Sequence, residues 1–262
     1  YTVRDGDGDL STTTLTINVA DVTLVGDNDT VTVDEAALDT TQTGDDVAAG
    51  TVTGSNPSLA SETATGTVDV TGATSYAIAG GTSAAGLTTV VGTYGTLVIN
   101  ESTGAYTYTL TSPFTTNPSD NDGAVTEMAT GEEFTYTASD ANGNTVTGTI
   151  TVDIIDDIPV ARADTDDVVE GAIATGNVID GTDTTSGAAG ADTAGADGFD
   201  GPVVGVRAAG GDTATAVSGG TGVVIAGLYG ELTLNGNGSY SYVANANAVT
   251  GNEQDVFVYT VR

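Results

Sequence analysis

The chain carries one stretch of sequence twice, and the two copies begin 135 residues apart, at Tyr1 and Tyr136. Residues 1–21 read YTVRDGDGDLSTTTLTINVAD, and residues 136–159 read YTASDANGNTVTGTITVDIIDDIP. Each copy consists of a strand pattern, an Asp/Asn/Gly turn, a second strand pattern and an acidic linker. After each turn, apolar residues alternate with Thr, Asn or Asp, which is typical of a strand with one buried face. The duplication therefore predicts a chain of tandem β-units.

A second motif recurs with the same spacing. YGTLVIN at residue 94 is followed by ESTG and AYTY, and YGELTLN at residue 229 is followed by GNG and SYSY. In both places two alternating runs flank a loop that contains Gly, which predicts a β-hairpin. We therefore interpret residues 1–21 as the C-terminal strand segment of a preceding or permuted repeat, residues 22–157 as a first complete β-sandwich repeat, and residues 158–262 as a second repeat that lacks its last strand.

Residue usage favours strands over helices throughout. The chain has 37 Gly and is rich in Thr, Val and Asp, and no long window places apolar residues at helical spacing. Seven to nine short strands in each unit, separated by turn signals, fit an Ig-like β-sandwich. We expect an all-β fold of tandem Ig-like sandwiches joined by short acidic linkers, with a long loop over residues 174–201.

The charge of the chain limits its partners. There are 36 acidic residues against 4 basic ones, for a formal net charge of −32 at pH 7. Nucleic acids and anionic membranes bind basic surfaces, so we expect neither as a partner. Self-repulsion of this size opposes compaction unless salt or bound cations offset it. Two interpretations stay open: a solvated surface like that of halophilic proteins, or carboxylates collected to bind a hard cation such as Ca²⁺.

The residues that the chain lacks exclude several kinds of chemistry. It contains no Cys and no His, which removes disulfides and Ser-His or Cys-His nucleophiles. Zinc is poorly served without these residues, and oxygen ligands for hard cations are left. No apolar run approaches the ~18 residues of a membrane span, so we expect no membrane insertion. A carboxylate pair for glycoside hydrolysis is compatible with the composition, but nothing singles out two acids among the 36. We expect that the protein is not an enzyme.

The first turn is a candidate Ca²⁺ site. Asp5, Asp7 and Asp9 place three carboxylates at alternate positions around a bend, as at the start of an EF-hand loop. No Glu follows at the EF-hand spacing and no helices flank the turn, so an EF-hand is excluded. The later copy has Asp140 followed by two Asn, which retain the oxygens with less charge. An ordinary β-turn accounts for the same residues equally well.

Acidic residues also surround both predicted joints at positions related by the 135-residue spacing. The earlier joint has Asp21, Asp27, Asp29, Asp34 and Glu35, and the later joint has Asp156, Asp157, Asp164, Asp166, Asp167 and Glu170. Acids from the end of one unit and the start of the next can share Ca²⁺ and fix the angle between units. The alternative is that exposed linkers are simply polar. We favour the ion because two clusters are similarly placed, and we regard Asp197 and Asp200 as a third candidate.

The order of these motifs resembles that of a known family. YGxLxxN, GxYxY, FxY, a DGDGD-type turn, a TxTLTI strand and an acid-Pro linker resemble the tandem Ig-like or cadherin-like repeats of giant bacterial RTX adhesins, including repeats of the VCBS type. The resemblance covers nearly the whole chain, although residues 37–90 and 171–225 match only in composition. It implies extender modules that a type I system exports to the surface of a Gram-negative bacterium, where such adhesins support attachment and biofilm formation.

The resemblance also implies that Ca²⁺ stiffens the joints between modules, so that a distal ligand-binding domain is held away from the cell. Asp156, Asp157, Asp164 and Glu170 would be joint ligands. The sequence departs from the pattern at the first joint, where residues 23–24 are Thr-Leu and the second joint has Ile-Pro. That difference leaves the stiffness of the first joint in question.

We therefore expect an extracellular extender that binds several Ca²⁺ ions and whose partners are the neighbouring repeats of the same chain. An adhesive module that binds a surface sugar or protein is the first alternative, and a polysaccharide-active carboxylate enzyme is the second. Head-to-tail self-association is a further expectation, since residues 10–19 have a strand pattern but no unit of their own. The second unit of one molecule could accept residues 1–21 of another.

Overall fold

The protein is built almost wholly of β-strands. The computed structural model describes residues 1–19, 23–39, 54–114, 128–199 and 201–262. Within these ranges the only helical segments are two short 3-10 turns, Glu35–Ala37 and Gly187–Ala189. None of the helical segments in the described ranges has the length and apolar character that crossing a membrane requires. The prediction of an all-β sandwich fold is confirmed.

The first unit consists of two sheets that pack face to face. Its strands are β3 (Asp29–Asp34), β4 (Thr63–Thr67), β5 (Ser75–Ile78), β6 (Thr82–Ala84), β7 (Leu87–Val91), β8 (Gly95–Asn100), β9 (Ala105–Leu110), β10 (Met128–Ser139) and β11 (Thr145–Ile155). One sheet has the order β3-β11-β10-β5, and the other has the order β4-β9-β8-β7-β6. Buried residues of both sheets form a single core, which makes this unit a β-sandwich.

Strand β11 shows why the alternating pattern forms a strand. Ile150, Val152 and Ile154 are fully buried, whereas the intervening Thr and Asp residues are half-exposed. The strand lies between two neighbours: it is antiparallel to β10 and parallel to β3. Because both of its edges are paired and one of its faces is in the core, the period of two predicted from the sequence is realised over the whole strand.

Tyrosine side chains in the core of the first unit make contacts between neighbouring strands and between the two sheets. The rings of Tyr108 on β9 and Phe134 on β10 lie 6.0 Å apart across the two sheets. Tyr136 on β10 crosses over Gly148 of β11, and its hydroxyl donates to the backbone oxygen of Asp27 at 2.5 Å. A Cβ at Gly148 would lie 2.6 Å from the Tyr136 ring and 2.2 Å from that oxygen, so only glycine fits there.

The second unit repeats part of this arrangement. Its strands are β12 (Ile173–Asn177), β13 (Val203–Ala208), β14 (Val224–Ala226), β15 (Gly230–Leu234), β16 (Ser239–Ala244) and β17 (Phe257–Val261). They form one sheet of order β12-β16-β15-β14 and a pair of strands, β13-β17. Tyr242 and Phe257 make an edge-on contact at 6.1 Å, in the places of Tyr108 and Phe134. The predicted hairpin is present as β15 and β16. The loop predicted over residues 174–201 is wrong for residues 174–177, which belong to β12.

The first residues form a separate hairpin of β1 (Thr2–Arg4) and β2 (Leu10–Thr12). Arg4 pairs with Leu10, just as Ser139 pairs with Thr145 in the later copy, so both copies have the same register. The strand predicted over residues 10–19 is only partly found, because residues 13–19 belong to no strand. Their apolar side chains are exposed, and no sheet in the described part of the chain covers them as β3, β10 and the core cover β11.

Candidate metal centre

Two parallel strands bring two acidic residues to the same edge of the first sandwich. Asp34 at the end of β3 pairs with Ile155 at the end of β11. Glu35, which begins the first 3-10 turn, and Asp156 are the residues that follow this pair. Because parallel strands point the same way, the residues after the last pair emerge side by side. This edge faces the linker to the second unit.

A third carboxylate comes from the second unit. Residues 195–197 approach the joint so closely that a Cβ at Gly195 would lie 2.0 Å from the backbone oxygen of Asp157. The next residue, Ala196, is 8% exposed and belongs to the core of the first unit. Asp197 follows, and carboxylate oxygens of Glu35, Asp156 and Asp197 lie within 4.8 Å of one another. The cluster therefore contains residues from both units, on either side of the linker.

The geometry of this cluster fits one hard cation. Oxygens that share a Ca²⁺ ion lie at most about 5 Å apart, because each binds at about 2.3–2.6 Å. Glu35 is fully buried, Asp156 is half-buried and Asp197 is exposed, so the cluster is closed on one side and open to solvent on the other. Three carboxylates with access from solvent could hold a metal ion, and their oxygens suit Ca²⁺ better than zinc.

Glu35 is the deepest member of the cluster. Its Oε1 accepts a hydrogen bond from the backbone N–H of Phe114, and its Oε2 accepts one from Asp157 at 3.3 Å. Burial raises the pKa of the Glu35 carboxyl to about 8, an effect that the charges of Asp197 and Asp156 add to and these two hydrogen bonds partly offset. Near neutral pH the buried carboxyl therefore holds a proton unless a cation takes its place.

Asp157, which follows Asp156, is hydrogen-bonded to the first unit. Its Oδ2 accepts from the Ser55 backbone N–H at 2.7 Å, and its Oδ1 accepts from the Ser55 hydroxyl at 2.5 Å. The residue is 8% exposed. Both carboxylate oxygens are thus engaged with the first unit, while the backbone N–H faces Glu35. Asp157, predicted as a ligand, fixes the backbone of the cluster in this structure.

The structure separates the acids of the earlier joint. Asp27 and Asp29 lie at the beginning of β3, at the opposite end from Glu35. The Asp27 Oδ2 accepts from the Asp69 N–H at 3.1 Å, and the Asp29 Oδ2 accepts from the Tyr106 hydroxyl at 2.8 Å. Asp21 lies outside the described residues. Of the acids predicted at this joint, Glu35 is the one that the fold places in the cluster.

The acids that follow the later joint face the second unit. Asp164 contacts the hydroxyls of Tyr259 and Ser186, each at 3.0 Å. Asp166 accepts from the Tyr240 hydroxyl at 2.6 Å, and Glu170 accepts from the Val249 N–H at 2.8 Å. These bonds place the three acids away from Asp156. The third predicted candidate is divided: Asp197 is in the cluster, and Asp200 lies outside the described residues.

The Asp5 turn is held by its own backbone. The Asp5 Oδ1 accepts from the N–H groups of Gly8 at 3.0 Å and Asp9 at 2.9 Å. Carboxylate oxygens of Asp5, Asp7 and Asp9 lie within 4.8 Å of one another, and all three residues are exposed. The turn therefore combines the hydrogen bonding of an Asx turn with a group of acids that could also hold an ion.

The later copy of this turn shares one of these bonds, the one from the fourth residue after the Asp, and has Asn in place of the other two acids. The Asp140 Oδ1 accepts from the N–H groups of Asn142 at 2.8 Å and Asn144 at 2.9 Å, and its Oδ2 accepts from the Asn144 side chain at 2.9 Å. The hydrogen bond from the Asn144 side chain is the main cause that lowers the pKa of Asp140. A single carboxylate thus suffices to form this turn.

One buried carboxylate of the first unit was not predicted. The Glu132 Oε1 accepts from the backbone N–H groups of Tyr94 and Gly95, the latter at 3.2 Å. Its Oε2 and the hydroxyl of Tyr108 are buried and have no hydrogen-bond partner among the residues that the structure describes. Burial above all, and then the charge of Glu132, raises the pKa of the Tyr108 hydroxyl. Glu132 therefore ties the start of the hairpin to strand β10.

Asp255 does the same in the second unit. It accepts from the N–H groups of Leu228 at 2.6 Å and Tyr229 at 2.9 Å, and from the Tyr242 hydroxyl at 2.6 Å. Glu132 and Asp255 both stand two residues before a Phe-x-Tyr sequence. An acid two residues before Phe-x-Tyr is therefore the sequence signal for this role. It did not stand out because the chain contains many other acidic residues.

A further acid that the sequence analysis missed lies beside Asp164. Asp192 accepts from the Arg162 N–H at 2.7 Å, and its Oδ2 lies 3.2 Å from the Tyr259 hydroxyl. Burial raises the pKa of Asp192 to about 6, and the hydrogen bond from Arg162 limits that rise. Because Asp192 sits in a Gly-rich and Ala-rich loop, no periodicity marks it in the sequence.

These features define a protein with β-sandwich architecture, in which a carboxylate cluster lies where the first unit passes into the second. The cluster could hold a metal ion. The chain matches no protein-family model, and it matches none of the curated proteins with which it was compared.

Proposed function

We propose that this chain is an extender segment of an extracellular adhesin and that Ca²⁺ stiffens the joint between its two units. The observation that carries the proposal is the origin of the three clustered carboxylates. Glu35 and Asp156 directly follow two strands of the first unit, whereas Asp197 belongs to the second. An ion bound by all three would link the units directly. Such a link is what an extender needs and an isolated domain does not.

The charges of the cluster explain how the ion would act. Without a cation, Asp156 and Asp197 repel each other and the buried Glu35 carboxyl is held in its protonated form. A divalent cation neutralises these charges and replaces the proton, so the second unit is drawn onto the first. Binding then removes conformational freedom from the linker. The stiffness of the pair would rise with the Ca²⁺ concentration.

The overall charge suits an exposed structural role. With a net charge of −32, neighbouring copies of the chain repel one another at low salt, which opposes aggregation. The partners in this proposal are adjoining repeats of the same chain, and the location is the surface of a Gram-negative bacterium. Catalysis is no part of the proposal, because the chain lacks the His and Cys of common nucleophilic sites.

Direct binding of a surface ligand is the second candidate. A depression of about 670 Å³ lies beside β4, β8 and β9 and is lined by uncharged residues that include Thr65, Asn100 and Thr107. Hydroxyl and amide groups can form hydrogen bonds with neutral sugars. Binding of neutral glycans that Asn100→Ala weakens, in the presence or absence of Ca²⁺, would favour this function over the extender.

Small-angle X-ray scattering tests the proposed function. The wild-type chain is measured in Ca²⁺ and in EGTA at matched ionic strength, together with Asp197→Asn and the control Asp183→Asn, which removes one charge from an exposed position of the same unit. We expect an elongated, rigid particle in Ca²⁺ that becomes flexible in EGTA. Asp197→Asn should be flexible in both conditions, and Asp183→Asn should behave as the wild type. Identical profiles in Ca²⁺ and EGTA would contradict the proposal.

A further inference from the structure

The chain contains the sequence Asn-Gly three times, at residues 142–143, 235–236 and 237–238. Asparagine is one of the residues that heat damages chemically. It reacts fastest before glycine, because the glycine nitrogen can then attack the side-chain carbonyl carbon with no Cβ in the way. All three pairs lie in turns between paired strands of the structure. Their surroundings differ, and the differences predict which pair reacts.

Two of the turns have the same backbone hydrogen bonds, so their asparagines can be compared directly. The turns are residues 140–144 and residues 235–239. In each, the N–H of the first residue donates to the oxygen of the fifth, and the N–H of the fourth, a glycine, donates to the oxygen of the first. Asn142 and Asn237 each occupy the third place, before a glycine with a φ of 89° or 84°. Any difference between them must come from side chains and packing.

The Asn142 side chain is exposed, and its amide group makes no hydrogen bond within the described residues. A Cβ at the following residue, Gly143, would have no atom within 4 Å. The Gly143 N–H is bonded to the Asp140 oxygen over a long 3.3 Å. The attacking nitrogen and the attacked amide therefore both have room to turn toward each other.

Asn237 is held in place on several sides. Its Oδ1 accepts from the Ser239 N–H at 3.1 Å and from the Ser239 hydroxyl at 2.8 Å. Its backbone oxygen accepts from the Asn177 side chain at 3.2 Å. A Cβ at Gly238 would lie 2.4 Å from Ile179 and 2.5 Å from the Asn177 Oδ1. The peptide bond after Asn237 cannot turn without breaking these contacts.

Asn235 is held through the group that would have to leave. Its side-chain nitrogen donates to the backbone oxygen of Ser239 at 3.2 Å and to the Ser239 hydroxyl at 3.0 Å. The backbone oxygen of the next residue, Gly236, accepts from the Val203 N–H at 3.0 Å. Both the side chain and the following peptide are thus bonded to the second unit.

We propose that Asn142 is a site of spontaneous deamidation, with water as the only other reactant. The Gly143 nitrogen loses its proton to solvent and bonds to the Asn142 Cγ. The bond from Cγ to the side-chain nitrogen breaks, and that nitrogen takes a proton and leaves as ammonia. Water then opens the resulting succinimide ring. Attack of water at Cγ gives aspartate, and attack at the backbone carbonyl carbon gives isoaspartate.

The first copy of the turn shows that the aspartate product fits. Asp7 stands 135 positions before Asn142. In that copy the Asp5 Oδ1 accepts from the N–H four residues later, as the Asp140 Oδ1 does. A carboxylate at this place is therefore compatible with the turn. Isoaspartate instead adds a methylene group to the main chain, which displaces the hydrogen bonds of the two residues that follow and loosens the end of the hairpin.

Mass spectrometry tests the proposal on the full chain, kept folded at mildly alkaline pH and then cut with a protease specific for Glu. Cuts after Glu133 and Glu170 release a peptide that contains Asn142, and cuts after Glu231 and Glu253 release one that contains the other two pairs. The mass gain from amide to acid is followed with time in both. Because hydrogen bonds of the side chain must break before either pair of the second unit reacts, we expect the Asn142 peptide to convert about tenfold faster or more.

Two controls separate the effect of the fold from that of the sequence. In urea at a concentration that unfolds the chain, the three pairs should convert at similar rates, since the contacts that distinguish them are lost. Asn142→Gln should abolish the change in the first peptide, because attack on the longer side chain must form a larger ring. The same variant should leave the second peptide unchanged.

Three outcomes would overturn the proposal. The first is a folded chain in which a pair of the second unit converts as fast as Asn142. The second is an Asn142 that keeps its amide in the folded chain although the unfolded chain loses it. The third is conversion that persists in the first peptide of Asn142→Gln, which would assign it to Asn144. None of these measurements requires Ca²⁺, so failure of this proposal is distinguishable from failure of the proposed function.

Discussion

Glu35 and Asp156 lie side by side because the residues before them, Asp34 and Ile155, are the last pair of two parallel strands. Two of the three clustered carboxylates are therefore positioned by sheet register and not by a loop. The third, Asp197, is brought by a loop whose neighbour Ala196 is buried in the first unit. Glu35 and Asp156 would therefore be in place before the ion binds, and binding of Asp197 to the ion would fix the second unit against the first.

The raised pKa of Glu35 predicts how the metal-free protein responds to pH. The folded state keeps the Glu35 proton up to about pH 8, whereas an unfolded chain releases it near the ordinary value of 4.5. The folded state thus binds more protons in this window, and its stability falls as pH rises from about 5 to about 8. Thermal unfolding in EGTA, followed by circular dichroism at several pH values, should show this fall.

The control is Glu35→Gln, which removes the titrating group and retains one oxygen acceptor. In this variant, stability should no longer decrease above about pH 6. The decrease below about pH 6 should remain, because the pKa of Asp192 is raised to about 6. Saturating Ca²⁺ should also abolish the decrease in stability above about pH 6 in the wild type. An unchanged profile in Glu35→Gln would show that other groups cause the pH dependence.

Glu132 should be one of the most sensitive acids in the chain. Glu132→Ala leaves the N–H groups of Tyr94 and Gly95 without their acceptor inside the sandwich. Hydrogen bonds to charged groups contribute about 1.5–3 kcal/mol, so we expect a loss of about 2–3 kcal/mol in the free energy of unfolding. Urea denaturation measures it.

Glu133→Ala is the matched control, since Glu133 is the next residue and is exposed. Its effect should stay within about 0.5 kcal/mol. Asp255→Ala should reproduce the loss in the second unit. Equal effects of Glu132→Ala and Glu133→Ala would contradict the role given to Glu132.

The Asp140 turn should be independent of calcium. Asp140→Ala removes the acceptor of two backbone N–H groups and of the Asn144 side chain at an exposed turn. We expect a small loss in the free energy of unfolding, equal in Ca²⁺ and in EGTA. Asn142→Ala, an exposed change in the same turn, serves as the comparison. A loss seen only in Ca²⁺ would mean that this turn binds an ion.

Local pattern was enough to predict much of the fold. The alternation in β11, the two hairpins and the all-β class follow from short stretches of sequence whose side chains alternate between core and solvent. The strand expected over residues 10–19 shows the limit of such patterns. The same alternation forms a strand only where neighbours pair with its edges, and within the described residues no strand pairs with residues 14–19.

The candidate site was only half predictable, because its members meet through tertiary structure. Glu35 and Asp156 were assigned to different joints, since 121 residues separate them and the parallel pairing of β3 with β11 is not visible in either stretch. Asp164, Asp166 and Glu170 were included on the assumption that both joints are alike. The second unit lacks a strand at the β11 position in the described residues, so that assumption does not carry over.

Calorimetric titration with Ca²⁺ tests the central claim most directly. The wild type is compared with Glu35→Gln, Asp156→Asn and Asp197→Asn, and with Asp183→Asn as a control of equal charge change. We predict a binding event that each of the three variants weakens about tenfold or more and that Asp183→Asn preserves, with proton release near neutral pH that is absent in Glu35→Gln. Calcium binding that is the same in all five proteins, or no binding to the wild type, would contradict the account.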